Sequence, residues 1–209
     1  MRMAGAPTRR AWNGRTPHAP ACPCCEDPGG TGRRGFLALA VGGATSLLAA
    51  PAAAQSQTDM PPGPRRLKVR RNFTDDRFEG IYWADGGYDR EALRRLDWVM
   101  RDLSAAEVTP MDPRLFDVLF QVAHRLGALD REYQIHSGYR TPETNAVRTR
   151  QSRRVAPTSL HMSGMACDCR LEGHDPLGMA RSAAQMQLGG VGYYRQGFVH
   201  LDCGPVRRW

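Results

Sequence analysis

The stretch that decides the fold reads Ser159-Leu160-His161-Met162-Ser163-Gly164-Met165-Ala166-Cys167-Asp168-Cys169-Arg170-Leu171, answered further on by Phe198-Val199-His200-Leu201-Asp202-Cys203. In a β-strand successive side chains point to opposite faces. Read as strands, Ala166–Leu171 sends Asp168 to one face and Cys167 and Cys169 to the other, and Phe198–Cys203 puts His200 and Asp202 on one face with Leu201 and Cys203 opposite. Pairing the two strands would bring Asp168 and His200 together over a cleft, with His161 arriving from the loop before the first strand. Two imidazoles and a carboxylate converging on one point are donors that a tetrahedral metal ion takes. Spacing alone also allows ordinary hydrogen-bonded polar residues.

Outward from these strands, helix starts are legible. Asp89–Asp102 places Leu93, Leu96 and Met100 at helical spacing. Asp112-Pro113 is an N-cap followed by proline at the first helical position, and Leu115, Leu119, Val122 and Leu126 recur with the helical period before Gly127. Asp175-Pro176 repeats the signal ahead of Leu177–Gln187, which Gly189-Gly190 ends. Thr141–Arg154 is polar and Arg-rich, a short helix and a mobile loop. Tyr133–His136 and Gly190–Tyr194 read as further strands. Helices concentrate in the first half and strands in the second, which predicts an α+β domain, a small antiparallel sheet with helices packed on one side.

That domain is expected over residues 67–209. Residues 1–54 read as a signal peptide: Thr31-Gly32-Arg33-Arg34-Gly35-Phe36-Leu37 resembles a twin-arginine leader, and Ala52 and Ala54 satisfy the small-x-small rule of a cleavage site before Gln55. Cys22, Cys24, Cys25 and His18 fall in this segment. An uncleaved Phe36–Ala54 would instead be long enough to cross a bilayer thinly. Residues 55–66 form a Pro-rich linker. The 209 residues carry a net charge of +8, but outside the leader the balance is 23 basic against 19 acidic residues, scattered and without an aromatic-interleaved stripe. Nucleic-acid binding is therefore not expected.

Three blocks carry a resemblance. Ser137-Gly138-Tyr139-Arg140-Thr141-Pro142-Glu143-Thr144-Asn145, then S-x-H-x-x-G-x-A-x-D at 159–168, then Gly189-Gly190-Val191-Gly192-Tyr193-Tyr194 leading into Phe-Val-His-x-Asp at 198–202, resemble the zinc metallopeptidases of the D-Ala-D-Ala carboxypeptidase, dipeptidase and hedgehog-like fold, and most nearly their exported murein endopeptidases. The resemblance covers residues 132–209. It implies a single zinc ion held by His161, Asp168 and His200, leaving a fourth position for water, the pattern of a catalytic site. It further implies zinc-dependent hydrolysis of peptide cross-links in peptidoglycan, in the periplasm or cell envelope; a monomer is the expectation, though no residue pattern fixes the oligomeric state. Trimming of a terminal D-amino acid, or peptidoglycan binding without catalysis, are the alternatives.

By the same resemblance Arg140 would stabilise the developing oxyanion, although a structural pairing with a carboxylate competes with that role. Where the dipeptidase branch has an acid three residues before its last histidine, this chain has Gly197. Asp202 is then the nearest carboxylate, as a proton acceptor, as a partner fixing a histidine tautomer, or as a replacement ligand for Asp168. Ser137 and Ser159 read as orienting groups, since no G-x-S-x-G elbow supports a serine enzyme. His136 reads as a neighbour of the site or a core residue, and His124 and His174 as surface histidines. Cys167, Cys169 and Cys203 are expected as buried thiols, with a disulfide from Cys203 to one of the others as the alternative.

Overall fold

Strand β5 (Ala166–Leu171) lies between β4 (Tyr133–Ser137) and β7 (Phe198–Asp202), and these three form the middle of the sheet. The computed structural model describes residues 60–152 and 155–209. Beyond β7 come β6 (Gly190–Tyr194) and the short β8 (Arg207–Arg208); beyond β4 come β1 (Arg65–Arg71), β2 (Arg77–Ala84) and β3 (Gly87–Tyr88). The order across the sheet is β3-β2-β1-β4-β5-β7-β6-β8. Its central pairings, β4 with β5, β5 with β7 and β7 with β6, are antiparallel as expected. The sheet as a whole is mixed, because β1 runs parallel to β4 and β8 parallel to β6.

The N-terminal hairpin corrects the expectation of a mainly helical first half. Strand β1 reads Arg-Arg-Leu-Lys-Val-Arg-Arg and begins at Arg65, inside the stretch read as linker. Only Leu67 and Val69 mark it as apolar, and both are buried. Part of its polar face is paired across the hairpin: Lys68 lies opposite Glu79 and pairs with it at 3.3 Å, and Arg66 reaches the same carboxylate at 3.5 Å. Such cross-strand charge pairs stabilise a strand that alternation alone does not reveal.

The helices start where the caps predict. Asp89 caps α1 (Arg90–Met100) by accepting from the Glu91 and Ala92 amides at 2.8 and 2.9 Å. Asp112 caps α2 (Pro113–Arg125), Thr141 caps α3 (Pro142–Gln151) and Asp175 caps α4 (Pro176–Met186), each with proline in the first turn. Each cap contributes about 1 kcal/mol. Helices α1, α2 and α4 cover one face of the sheet. There Leu96, Val99 and Met100 of α1 and Leu115, Phe116, Leu119 and Val122 of α2 meet Val69, Tyr133, Ile135, Cys167, Cys169 and Leu201. Each large aliphatic or aromatic side chain buried this way contributes about 1.5–3 kcal/mol.

Cys167, Cys169 and Cys203 are free, buried thiols, so no disulfide joins them. The leader, with Arg33-Arg34 and its cysteines, lies outside the described residues. Among the described residues no helix is long and apolar enough to cross a membrane.

Candidate metal centre

With one face of the sheet under helices, the strand register assigns the opposite face to chemistry. Asp168 of β5 stands directly opposite His200 of β7, and His200 directly opposite Gly192 of β6. On the other side of β5 the register slips: Ile135 faces Cys169 but Ser137 faces Asp168. His136 is thus the extra residue of a β-bulge, a device that re-aims side chains beside sites. It leaves Ser137 facing Asp168, while the His136 ring stacks on Phe198 with centroids 5.1 Å apart and meets Asn72.

His161 reaches the same point from a one-turn 3-10 helix, Leu160–Ser163. Ser159 caps that turn by accepting from the His161 amide, and Gly164 ends it in the left-handed region at φ 67°. A side chain at Gly164 would also press on the Pro110 carbonyl, its Cβ 2.9 Å away. The turn is therefore fixed at both ends, and His161 with it.

Three atoms converge. His161 Nε2 lies 3.2 Å from His200 Nδ1, His200 Nδ1 lies 3.0 Å from Asp168 Oδ1, and His161 Nε2 lies 3.3 Å from the same oxygen. A tetrahedral ion with bonds of about 2.0–2.1 Å holds its ligand atoms about 3.3 Å apart, so the spacing fits. The outer nitrogens are already committed. His161 Nδ1–H donates to the Gly138 carbonyl at 2.7 Å, and His200 Nε2–H donates to Asp202 Oδ2 at 3.0 Å. In those tautomers both imidazoles aim lone pairs inward, 3.2 Å apart, an arrangement that a cation between them would satisfy. All three donors are buried, at 2–5% exposure.

The electrostatics agree. Burial pushes the His161 pKa down. Burial also pulls on His200, but the Asp168 and Asp202 carboxylates on either side overcome it and raise its pKa. Burial would raise Asp168, yet the two imidazoles hold it well below the usual carboxylate range. The pocket is built to hold positive charge.

Arg140 occupies the competing position named from sequence. Its guanidinium ion-pairs with Asp168 Oδ2, the oxygen turned away from the imidazoles, and donates through Nε to Ser137 Oγ at 2.8 Å. It still lines the cleft. Burial lowers its pKa, partly offset by the neighbouring Asp168.

Asp202 is placed differently from the proton-acceptor expectation. It is fully buried behind His200, away from the cleft. Its Oδ1 accepts from the Gly190 and Gly204 amides, both at 2.9 Å, and its Oδ2 accepts from His200 and from Arg207 Nη2 at 2.6 Å. These donors hold its pKa down against burial. Both of its oxygens are engaged in these hydrogen bonds, one of them with His200, and it is not among the residues that line the cleft or that converge with His161. Asp168 is the sole carboxylate among the described residues lining the cleft.

Several site residues had escaped the sequence reading. Arg207 clamps Asp202, and Trp209 packs its ring against His200 at 5.0 Å between centroids. The signal lay in the glycines. A Cβ at Gly192 would sit 2.5 Å from the Trp209 ring, and one at Gly190 would sit 2.3 Å from Asp202 Oδ2. Gly138 is required likewise, since a Cβ there would meet the Met100 carbonyl at 2.3 Å. The cleft over these residues measures about 570 Å³, with Phe198, Leu160 and Trp209 among its walls.

The fold is of the α+β class that the three sequence blocks resemble, and the family match makes the chain a peptidase. The chain belongs to the family described as Peptidoglycan L,D-endopeptidase MepK, which it matches over residues 59–209. It is 40% identical over 149 residues to the probable peptidoglycan L,D-endopeptidase MepK of Haemophilus influenzae, covering 71% of this chain and 80% of that protein. It is 37% identical over 179 residues to the peptidoglycan L,D-endopeptidase MepK of Escherichia coli K12, covering 85% and 96%. No solved structure matches the chain significantly.

Proposed function

We propose that this protein hydrolyses peptide cross-links of peptidoglycan in the cell envelope, with one zinc ion held by His161, Asp168 and His200. The observation that carries the reading is the convergence of three lone-pair donors, each braced from behind, at the floor of a cleft large enough for a peptide. The relatives' names supply the substrate class. Export through the Arg33-Arg34 leader fits a substrate outside the cytoplasmic membrane.

A zinc ion in this donor set supplies a Lewis acid that polarises the scissile carbonyl and acidifies water near neutrality. The chain's own residues do the rest. Gly138 and Asp202 fix the two imidazole tautomers so that both lone pairs face inward. Arg207 holds Asp202, and so holds His200 at one remove. Arg140 spends two of its five N–H groups on Ser137 and Asp168, leaving donors for the charge that develops on the carbonyl oxygen. Its position beside a ligand carboxylate makes both roles weighed from sequence compatible. Stabilisation of this kind is worth about 3–4 kcal/mol in the transition state.

The test is mass spectrometry of purified cross-linked muropeptide dimers incubated with the zinc-loaded protein, with and without a chelator. The expected result is chelator-sensitive conversion of dimers to monomers, lost in His161→Ala. Intact dimers from a folded, zinc-loaded protein would overturn the reading. Release of a terminal D-amino acid alone would make the protein a carboxypeptidase.

A further inference from the structure

Among the described residues three arginines line the cleft, and two are neutralised within the fold: Arg140 by Asp168 and Arg207 by Asp202. The third, Arg148, sits in the last turn of α3, half-buried at the cleft wall. Among the described residues the ion pairs of the cleft arginines are those of Arg140 with Asp168 and Arg207 with Asp202, and Arg148 takes part in neither. Its surroundings make this costly. Arg148 is close enough to depress both Arg140 and Arg71 by like-charge repulsion. Arg71 is itself 3% exposed, and its Nε and Nη1 lack hydrogen-bond partners among the described residues. Among the described residues Asp168 is the one side-chain carboxylate lining the cleft, and its two oxygens are taken by Arg140 and by the imidazole pair. Among the described residues the cleft wall thus carries a positive charge without a paired carboxylate, facing the space where a peptide would lie.

We infer that Arg148 is a specificity-determining residue that binds a free carboxylate of the cross-linked peptide beside the scissile bond. The assignment rests on the peptidoglycan reading for its substrate, and on the carboxylate being the peptide group whose charge and shape complement a guanidinium. A guanidinium presents parallel N–H donors matched to a carboxylate, and such a pair in a part-desolvated cleft gains more than one on the open surface. The neighbouring Arg71 and Arg140 charges add to the attraction without needing contact.

The test compares two muropeptide dimers, identical except that the free carboxylates of one are converted to carboxamides. Wild type, Arg148→Gln and Arg148→Lys are assayed as zinc-loaded full-length protein. Binding to the metal-free protein is followed in parallel by tryptophan fluorescence, since Trp209 lines the cleft. Wild type is expected to prefer the free acid in kcat/KM by about 10-fold or more, the value of one charged hydrogen-bonded contact. Arg148→Gln should collapse that preference toward unity, chiefly through KM, with matching loss of free-acid binding; Arg148→Lys should keep part of it. Equal use of both dimers by wild type would overturn the inference. So would an Arg148→Gln variant that retains the preference, or that loses activity on both dimers by one factor. Charge-selective binding without cleavage would sustain the Arg148 site while sinking the hydrolytic reading.

Discussion

Replacing Asp202 with asparagine separates two roles that a carboxylate beside a catalytic histidine can have. Asp202 Oδ1 accepts two amide N–H groups, from Gly190 and Gly204, and Oδ2 accepts from His200 and Arg207. Asparagine keeps the shape but offers one carbonyl oxygen and one NH2 group. If the NH2 faces the glycine amides, donors oppose donors in a fully buried place. If it faces His200, the imidazole must accept at Nε2 and carry its proton on Nδ1, the nitrogen turned toward Asp168. Either arrangement weakens the metal-binding form. The expected cost is a 10- to 100-fold loss of zinc affinity, about 1.4–2.8 kcal/mol, with activity substantially restored by excess zinc. Zinc affinity is read by competition with a chromophoric chelator, and turnover at saturating zinc by muropeptide dimer loss. Unchanged zinc affinity with a kcat loss of about 100-fold or more that excess zinc does not rescue would refute the reasoning, because it is the signature of a proton acceptor.

Gly192→Ala should destabilise by about 1–3 kcal/mol in thermal melts and shift Trp209 fluorescence, because its Cβ would press on that ring at 2.5 Å; a stabilising effect, common when glycine is replaced in a strand, would contradict the packing. Burial and neighbouring carboxylates raise the Cys203 thiol to about 12, and a hydrogen bond with Cys169 together with burial pushes the Cys167 thiol well up. Peptide-mapped alkylation at pH 8 should therefore leave Cys167, Cys169 and Cys203 unlabelled until denaturant is added. Asp76, held at a pKa of about 2 by Thr74, Arg101 and Trp98, contributes stability that is present above pH 4 and lost as pH falls toward 2. Denaturant melts of wild type and Asp76→Asn should accordingly differ most near neutrality and converge at pH 2.

Much of the catalytic half was legible because its signals are local. The Asp-Pro pairs at 112–113 and 175–176 start helices in the structure, and the period-2 reading of β5 and β7 gives the observed register of Asp168 against His200, with the thiols on the core side. What escaped depends on distant partners. Strand β1 is half arginine by sequence and becomes a strand only through Glu79, Asp117 and the parallel edge of β4. The bulge at His136 exchanges which residue faces Asp168, and no composition rule announces it. Arg207 and Trp209 return across the sheet to brace His200, so their part is visible only in space, although the small residues at 190 and 192 mark where they land.

The most direct test of the metal centre is zinc K-edge X-ray absorption on the loaded protein, paired with metal stoichiometry. One zinc per chain is expected, in a shell of nitrogen and oxygen only, with two imidazoles, and binding should be lost in His161→Ala. Sulfur in the shell, or full zinc binding by that variant, would place the metal elsewhere and contradict the account.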